Sequence, residues 1–123
     1  MSVTVIKPGM LSSFQDHGRE GYQHQGIPAA GAMDERAHRL ANALAGNEGD
    51  PATLEITLTG PTLRFDAPAC FALAGADLGA TLNGQDIAQL RPLIARARRR
   101  AGLRGAARNG ACARIWPCMA VLR

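Results

Sequence analysis

One lysine serves the whole chain. Lys7 is the only one in 123 residues, which excludes a phosphate loop of the GxxxxGK[ST] kind, since that loop cannot hold a triphosphate without its lysine. Cysteines number three (Cys70, Cys112, Cys118), an odd count with no CxxC pair, and this predicts reduced thiols in a cytoplasmic protein rather than a disulfide frame. No apolar run approaches the ~18 residues of a membrane span, and residues 1–10 lack the basic-then-apolar order of a secretory signal. No Gly-x-Ser-x-Gly run or Cys–His pairing offers a covalent nucleophile. Aromatics are only 4% of the chain, so alanine and other small residues must fill the core.

Acidic residues are absent after residue 90. Residues 1–90 carry five cations against ten acids, a net −5, while residues 91–123 carry nine arginines and no acid, a net +9. Such asymmetry often marks a nucleic-acid tail.

What the chain does have is one dense stretch, 15–47. A polar loop over Asp16–Ala32 carries glycines at 18, 21, 26 and 31 and a proline at 28. Long irregular segments in small domains are usually functional. Clustered glycines let amide N–H groups point into one concavity, a way to hold an anion or a developing oxyanion. Within it and just beyond stand Asp16, His17, Arg19, Tyr22, His24 and Asp34. Asp16 and Arg19 read by themselves as an exposed loop ion pair of little worth or as a proton-moving carboxylate and a planar anion clamp, and Tyr22 as half packing with its hydroxyl towards the cleft. Gly26 and Gly31 are expected to line the site. His17, His24 and His38 lack the spacing of a metal set and read as ordinary surface or loop histidines.

A short helix is predicted from Asp34, which suits an N-cap, to Gly46, which suits the residue after the C-terminus. Ala37, Leu40, Ala41 and Leu44 make its buried stripe, and His38 and Asn42 fall on a polar flank, from which Asn42 is expected to bond the glycine loop. Before this stretch, Ser2–Lys7 and Met10–Gln15 read as strands joined by Pro8-Gly9, as a hairpin or a tight strand–turn–strand. After it the period becomes two. Leu54, Ile56 and Leu58 are predicted to face the core and Glu55 the other side, as a solvated residue or as a cleft-facing acid or base. Thr62–Phe65 and Cys70–Ala74 are further strands, and Asn83-Gly84 is a type I′ hairpin signal. The expected fold is mainly β with one short helix, a β-barrel or sandwich.

The run KPGMLSSFQDHGREGYQHQGIPAAGAMDERAHRLANALAGN, then ATLEITLTGPTLRF, then LAGADLGATLNG, resembles the carboxyltransferase-domain family. That family is variously called allophanate hydrolase subunit 2, the carboxyltransferase half of urea carboxylase, and the C subunit of 5-oxoprolinase. Ala30 departs from it, standing where the family usually has serine. The resemblance covers residues 3–94 and implies a partial cyclophilin-like β-barrel, incomplete because the family is far longer. It implies a subunit of a biotin-dependent carboxyltransferase or an ATP-hydrolysing 5-oxoprolinase complex, acting on a small anionic, amide or lactam substrate. ATP or carboxybiotin would come through partner subunits, with none bound by this chain alone; no Met-Lys-Met biotin site exists here. The alternatives are a regulatory module of the kinase-inhibitor-antagonist type or an inactive fragment. On this reading the substrate side of the site is Arg19, Tyr22, Gly26, Gly31, Asp34 and Asn42, and the proton-moving side is Asp16 and Glu55.

Residues 95–123 depart from the family pattern. Codons can be chosen for Arg99–Arg104 and Ala113–Leu122 that also spell, in neighbouring frames, Gly-Asp-Val-Leu-Asp-Phe and Ala-Tyr-Leu-Ala-Leu-His-Gly-Gly-Phe, close to what the resemblance leads one to expect there. The expectation is therefore an aberrant tail from two small frameshifts, whose arginines need no nucleic-acid partner; the gene's nucleotide sequence tests it.

Overall fold

Two antiparallel five-stranded sheets form because the chain keeps alternating between them. The computed structural model describes residues 3–96, 99–103 and 118–121. Its strands are β1 (Val3–Lys7), β2 (Leu11–Gln15), β3 (Thr53–Thr57), β4 (Thr62–Phe65), β5 (Ala69–Ala74), β6 (Ala80–Leu82), β7 (Gln85–Asp86), β8 (Pro92–Ala95), β9 (Arg99–Leu103) and β10 (Cys118–Val121). One sheet has the order β1-β4-β9-β6-β7 and the other β2-β3-β10-β5-β8. Among the described residues one α-helix, α1 (Glu35–Ala45), follows a one-turn 3-10 helix at Gln23–Gln25. Among the described residues no helix is long and apolar enough to cross a membrane.

The mainly-β expectation holds, but neither sheet closes into a barrel: β1 and β7 remain the edges of one, β2 and β8 of the other. Of the two readings expected for β1 and β2, the tight strand–turn–strand forms and the hairpin does not. β1 pairs with β4 and β2 with β3, so Pro8-Gly9 carries the chain from one sheet to the other. Gly9 sits at φ +74, and a Cβ there would lie 2.4 Å from the Thr59 carbonyl oxygen. The returning β3–β4 connection crosses at this same corner, with Met10 N–H donating to Thr59 O at 3.1 Å. Leu58 belongs to that crossover, at φ 60, and is exposed rather than in the core.

Between the sheets lie Ile56, Leu63, Phe65, Phe71, Leu73, Leu93 and Ala101, with Phe65 and Phe71 stacked at 5.1 Å. Strand β5 is apolar throughout because both its faces are covered. Phe71 and Leu73 face the opposite sheet, while Ala72 and Ala74 meet Ala37, Ala41 and Ala45 of the helix. Alanine on alanine lets α1 lie close against its sheet. The Asn83-Gly84 turn forms as expected, with φ 51 and 81 at the two residues and Leu82 opposite Gln85.

Two segments of the arginine-rich tail are described, and each fills the middle of a sheet. Strand β9 pairs on one side with β4 and on the other with β6, and β10 joins β3 to β5. The remainder of the expected aberrant tail, 97–98, 104–117 and 122–123, lies outside the described residues.

Candidate functional site

The 16–34 loop is held by its own backbone. Asp16 Oδ1 accepts from Gly18 N–H at 2.7 Å, closing an Asx turn at the loop entrance. Arg19 N–H donates to Ala29 O at 2.7 Å and Ala32 N–H to Asp16 O at 2.8 Å, so the outgoing and returning arms are zipped together. Where the arms cross, glycine lies on glycine. A Cβ on Gly18 would come within 2.3 Å of Ala30 O, and one on Gly31 within 2.8 Å of Gly18 N. Gly21 and Gly26 differ: both have positive φ, but nothing lies within 4 Å of a Cβ there. Ala30 is held at φ 55, a conformation costing a non-glycine residue about 1 kcal/mol, so the crossing is tight enough to impose strain.

At the exit, Glu55 takes over. Its Oε1 accepts from Met33 N–H at 2.8 Å and from Asp34 N–H at 3.2 Å. Asp34 then caps the helix, its Oδ1 accepting from Ala37 N–H at 2.9 Å. Glu55 is buried, only 4% exposed, which corrects the expectation of a solvated carboxylate. Strand β3 buries it because its charge is satisfied by the amides at the start of α1, where the helix dipole also favours an anion.

The helix stripe is rotated from its expected line. Ala37, Ala41 and Ala45 are buried with His38 and Asn42, whereas Leu40 is 43% exposed. The polar pair can turn inward because both side chains find partners. Asn42 Nδ2 donates to Pro51 O at 2.8 Å, and its Oδ1 accepts from Asn47 at 2.9 Å. Asn42 therefore fixes the turn after the helix and not the glycine loop. His38 Nδ1 lies 2.9 Å from Thr53 Oγ1, and the ring is fully buried, which corrects its reading as a surface histidine. Sequence reasoning missed this residue; continuing the alanine period to Ala45 would have placed it inside.

Burial holds the His38 imidazole below its ordinary pKa, helped by His17 and Arg39 and opposed by Asp50 and Asp16. The unfolded chain then binds the proton more readily than the folded one. Stability from this residue is complete above about pH 6.5 and falls as the pH drops from there towards the folded value. Urea midpoints measured in chelator between pH 8 and 5 are expected to decline through that window, and a His24→Ala control, with its exposed ring, is expected to decline equally.

Arg19 and Tyr22 are exposed, and neither makes a side-chain hydrogen bond or ion pair with the described residues. His24 lies 3.1 Å from the Gln25 side-chain amide. The loop is thus a rigid frame presenting a guanidinium and a phenol to the outside. A void of about 10 Å³ lies between the sheets, lined by Leu63, Phe71, Leu73 and Ile87.

Comparison with known proteins places this frame. The sequence profile of the carboxyltransferase domain, subdomain A and B, matches residues 25–115. Urea amidolyase of Saccharomyces cerevisiae is 39% identical over 93 residues, 75% of this chain and 5% of that protein. The C subunit of Escherichia coli 5-oxoprolinase is 43% identical over 79 residues, 64% of this chain and 26% of that one. The crystal structure of Kluyveromyces lactis urea carboxylase superposes with a TM-score of 0.87 at 34% identity, covering 97% of this chain and 10% of that one. The chain therefore spans about a quarter or less of the length of each of these proteins, and over that span it belongs to the carboxyltransferase domain family, subdomains A and B.

Proposed function

We propose that this chain supplies the loop-and-helix corner of a 5-oxoprolinase or urea carboxylase type subunit, working with partner subunits on a small amide or lactam. The observation that carries this reading is the contrast within the loop: its backbone is locked, while Arg19 and Tyr22 are exposed and bonded to nothing in the described chain. Fixed backbone with unpartnered Arg and Tyr is what a recognition surface needs, because the ordering cost is already met before binding. Arg19 is suited to the carboxylate of such a substrate through paired N–H donors. Asp16, one oxygen of which holds Gly18, keeps the other for a substrate proton. Glu55 positions the loop and does not itself react.

ATP and carboxybiotin belong, in this reading, to the partner subunits, and the two open sheets are part of a cyclophilin-like barrel.

The test is co-expression with the partner subunits and an ATP-dependent assay of 5-oxoproline cleavage, with urea carboxylation in parallel. Arg19→Ala is expected to lower kcat/KM by about 10- to 100-fold, the worth of a charge-assisted hydrogen bond, without moving the unfolding midpoint, and Arg19→Lys is expected to recover little of it. Unchanged kcat/KM in Arg19→Ala would remove the loop from substrate recognition. A complex that assembles yet shows no turnover of either substrate would favour the binding-module reading.

A further inference from the structure

Three segments distant in sequence bring metal-ligating groups together behind the glycine loop. His17 comes from the loop entrance, His38 from the first turn of α1 and Asp50 from the connection into β3. One donor atom from each lies within 4.8 Å of the others. His38 Nε2 is buried and, among the described residues, has no hydrogen-bond partner. A buried polar nitrogen left unpaired is costly, and it asks for an explanation.

We propose that His17, His38 and Asp50 form a binding site for a divalent transition ion of the zinc class. Two imidazoles and one carboxylate are the donor set of a three-ligand zinc site, with a fourth position open to solvent or substrate. Calcium and magnesium prefer all-oxygen shells. The surroundings fit as well as the donors. His38 Nδ1 lies 2.9 Å from Thr53 Oγ1; with the ring proton on Nδ1 this bond fixes the ring and leaves the Nε2 lone pair free for an ion, the outer-shell arrangement that orients metal-bound histidines. His17 Nε2 stands 2.9 Å from Asp50 Oδ2 and its Nδ1 stands 4.0 Å from Glu35 Oε1. When an ion takes Nε2, the ring proton resides on Nδ1, on the Glu35 side. Arg39, the nearby cation, is already engaged by Glu35.

Geometry requires a modest contraction. Zinc bonds its ligands at about 2.0–2.2 Å, which puts tetrahedral donors about 3.3 Å apart. His17 and Asp50 are exposed side chains able to close that difference, while His38 stays fixed. An ion here would tie the loop, the helix and β3 together at one point.

The test uses the full chain, stripped with chelator and titrated with Co²⁺ and then Zn²⁺. One ion per chain, with the intense visible absorption of tetrahedral cobalt and displacement by zinc, is expected. His17→Ala and Asp50→Asn, both at exposed positions, are expected to weaken binding by at least about 10-fold, and His24→Ala to leave it unchanged. His38→Gln adds a test from the buried side if it folds. The absence of saturable binding would overturn the proposal and reduce the cluster to an edge-on ring contact with a hydrogen bond. Binding that survives His17→Ala and Asp50→Asn but disappears on thiol alkylation would also overturn it, by assigning the ion to the cysteines.

Discussion

Gly31→Ala is expected to cost about 2–4 kcal/mol of stability, and Gly18→Ala a similar amount. A methyl group at either position meets backbone atoms of the other arm, at 2.8 Å and 2.3 Å, and backbone cannot step aside as a flexible side chain can. Both residues also sit at positive φ, +99 and +74, so the added Cβ is strained before it collides. Gly26→Ala isolates the conformational part alone. At φ +76 with nothing within 4 Å, it is expected to cost about 1 kcal/mol. Urea unfolding of the three variants separates the two effects. Equal small losses would mean that the arms do not cross as described.

Glu55→Ala is the second large effect. It removes the acceptor of two amides, those of Met33 and Asp34, and empties the volume of a buried side chain. Orphaned N–H groups cost about 1–3 kcal/mol each when shielded from water, and these two are only partly buried, so a loss of about 3 kcal/mol is expected. Glu55→Gln retains an acceptor oxygen and gives up only its charge. It should lose about 1 kcal/mol, since charge-assisted bonds are roughly twice as strong as neutral ones. Thermal unfolding compares them directly, and a Gln variant as damaged as the Ala variant would show that the charge matters more than the acceptor.

Much of this architecture was legible in the residues. Asn83-Gly84 announced its turn, the Asp34–Gly46 bounds of α1 carried their own caps, and the motif series 3–94 pointed to the family. Three things were hidden because they depend on distant partners. The β1–β2 pair reads locally as a hairpin or a tight strand–turn–strand, and only the close approach of Gly9 to Thr59 shows that the chain changes sheets there. The helix stripe looked centred on Leu40 because leucine outweighs alanine in any apolar pattern. Packing chose Ala45 instead, since Thr53 and Pro51 stood ready to satisfy His38 and Asn42. Glu55 sat at a position that alternation assigns to the outer face of β3. That face is covered by α1, and the amides awaiting the carboxylate come from some twenty residues earlier. Within the loop, Gly18 and Gly31 cross the two arms, a role that depends on the other arm and that no local pattern marks.

Amide hydrogen exchange reads the locked frame most directly. With the loop zipped, crossed at Gly18 and Gly31 and anchored on Glu55, the amides of Gly18, Arg19, Ala32, Met33 and Asp34 are expected to exchange slowly, and those of Met33 and Asp34 to lose their protection selectively in Glu55→Ala. Exchange of all five at the rate of an open chain in the unsubstituted protein would contradict the account, because Arg19 and Tyr22 would then hang from a mobile loop.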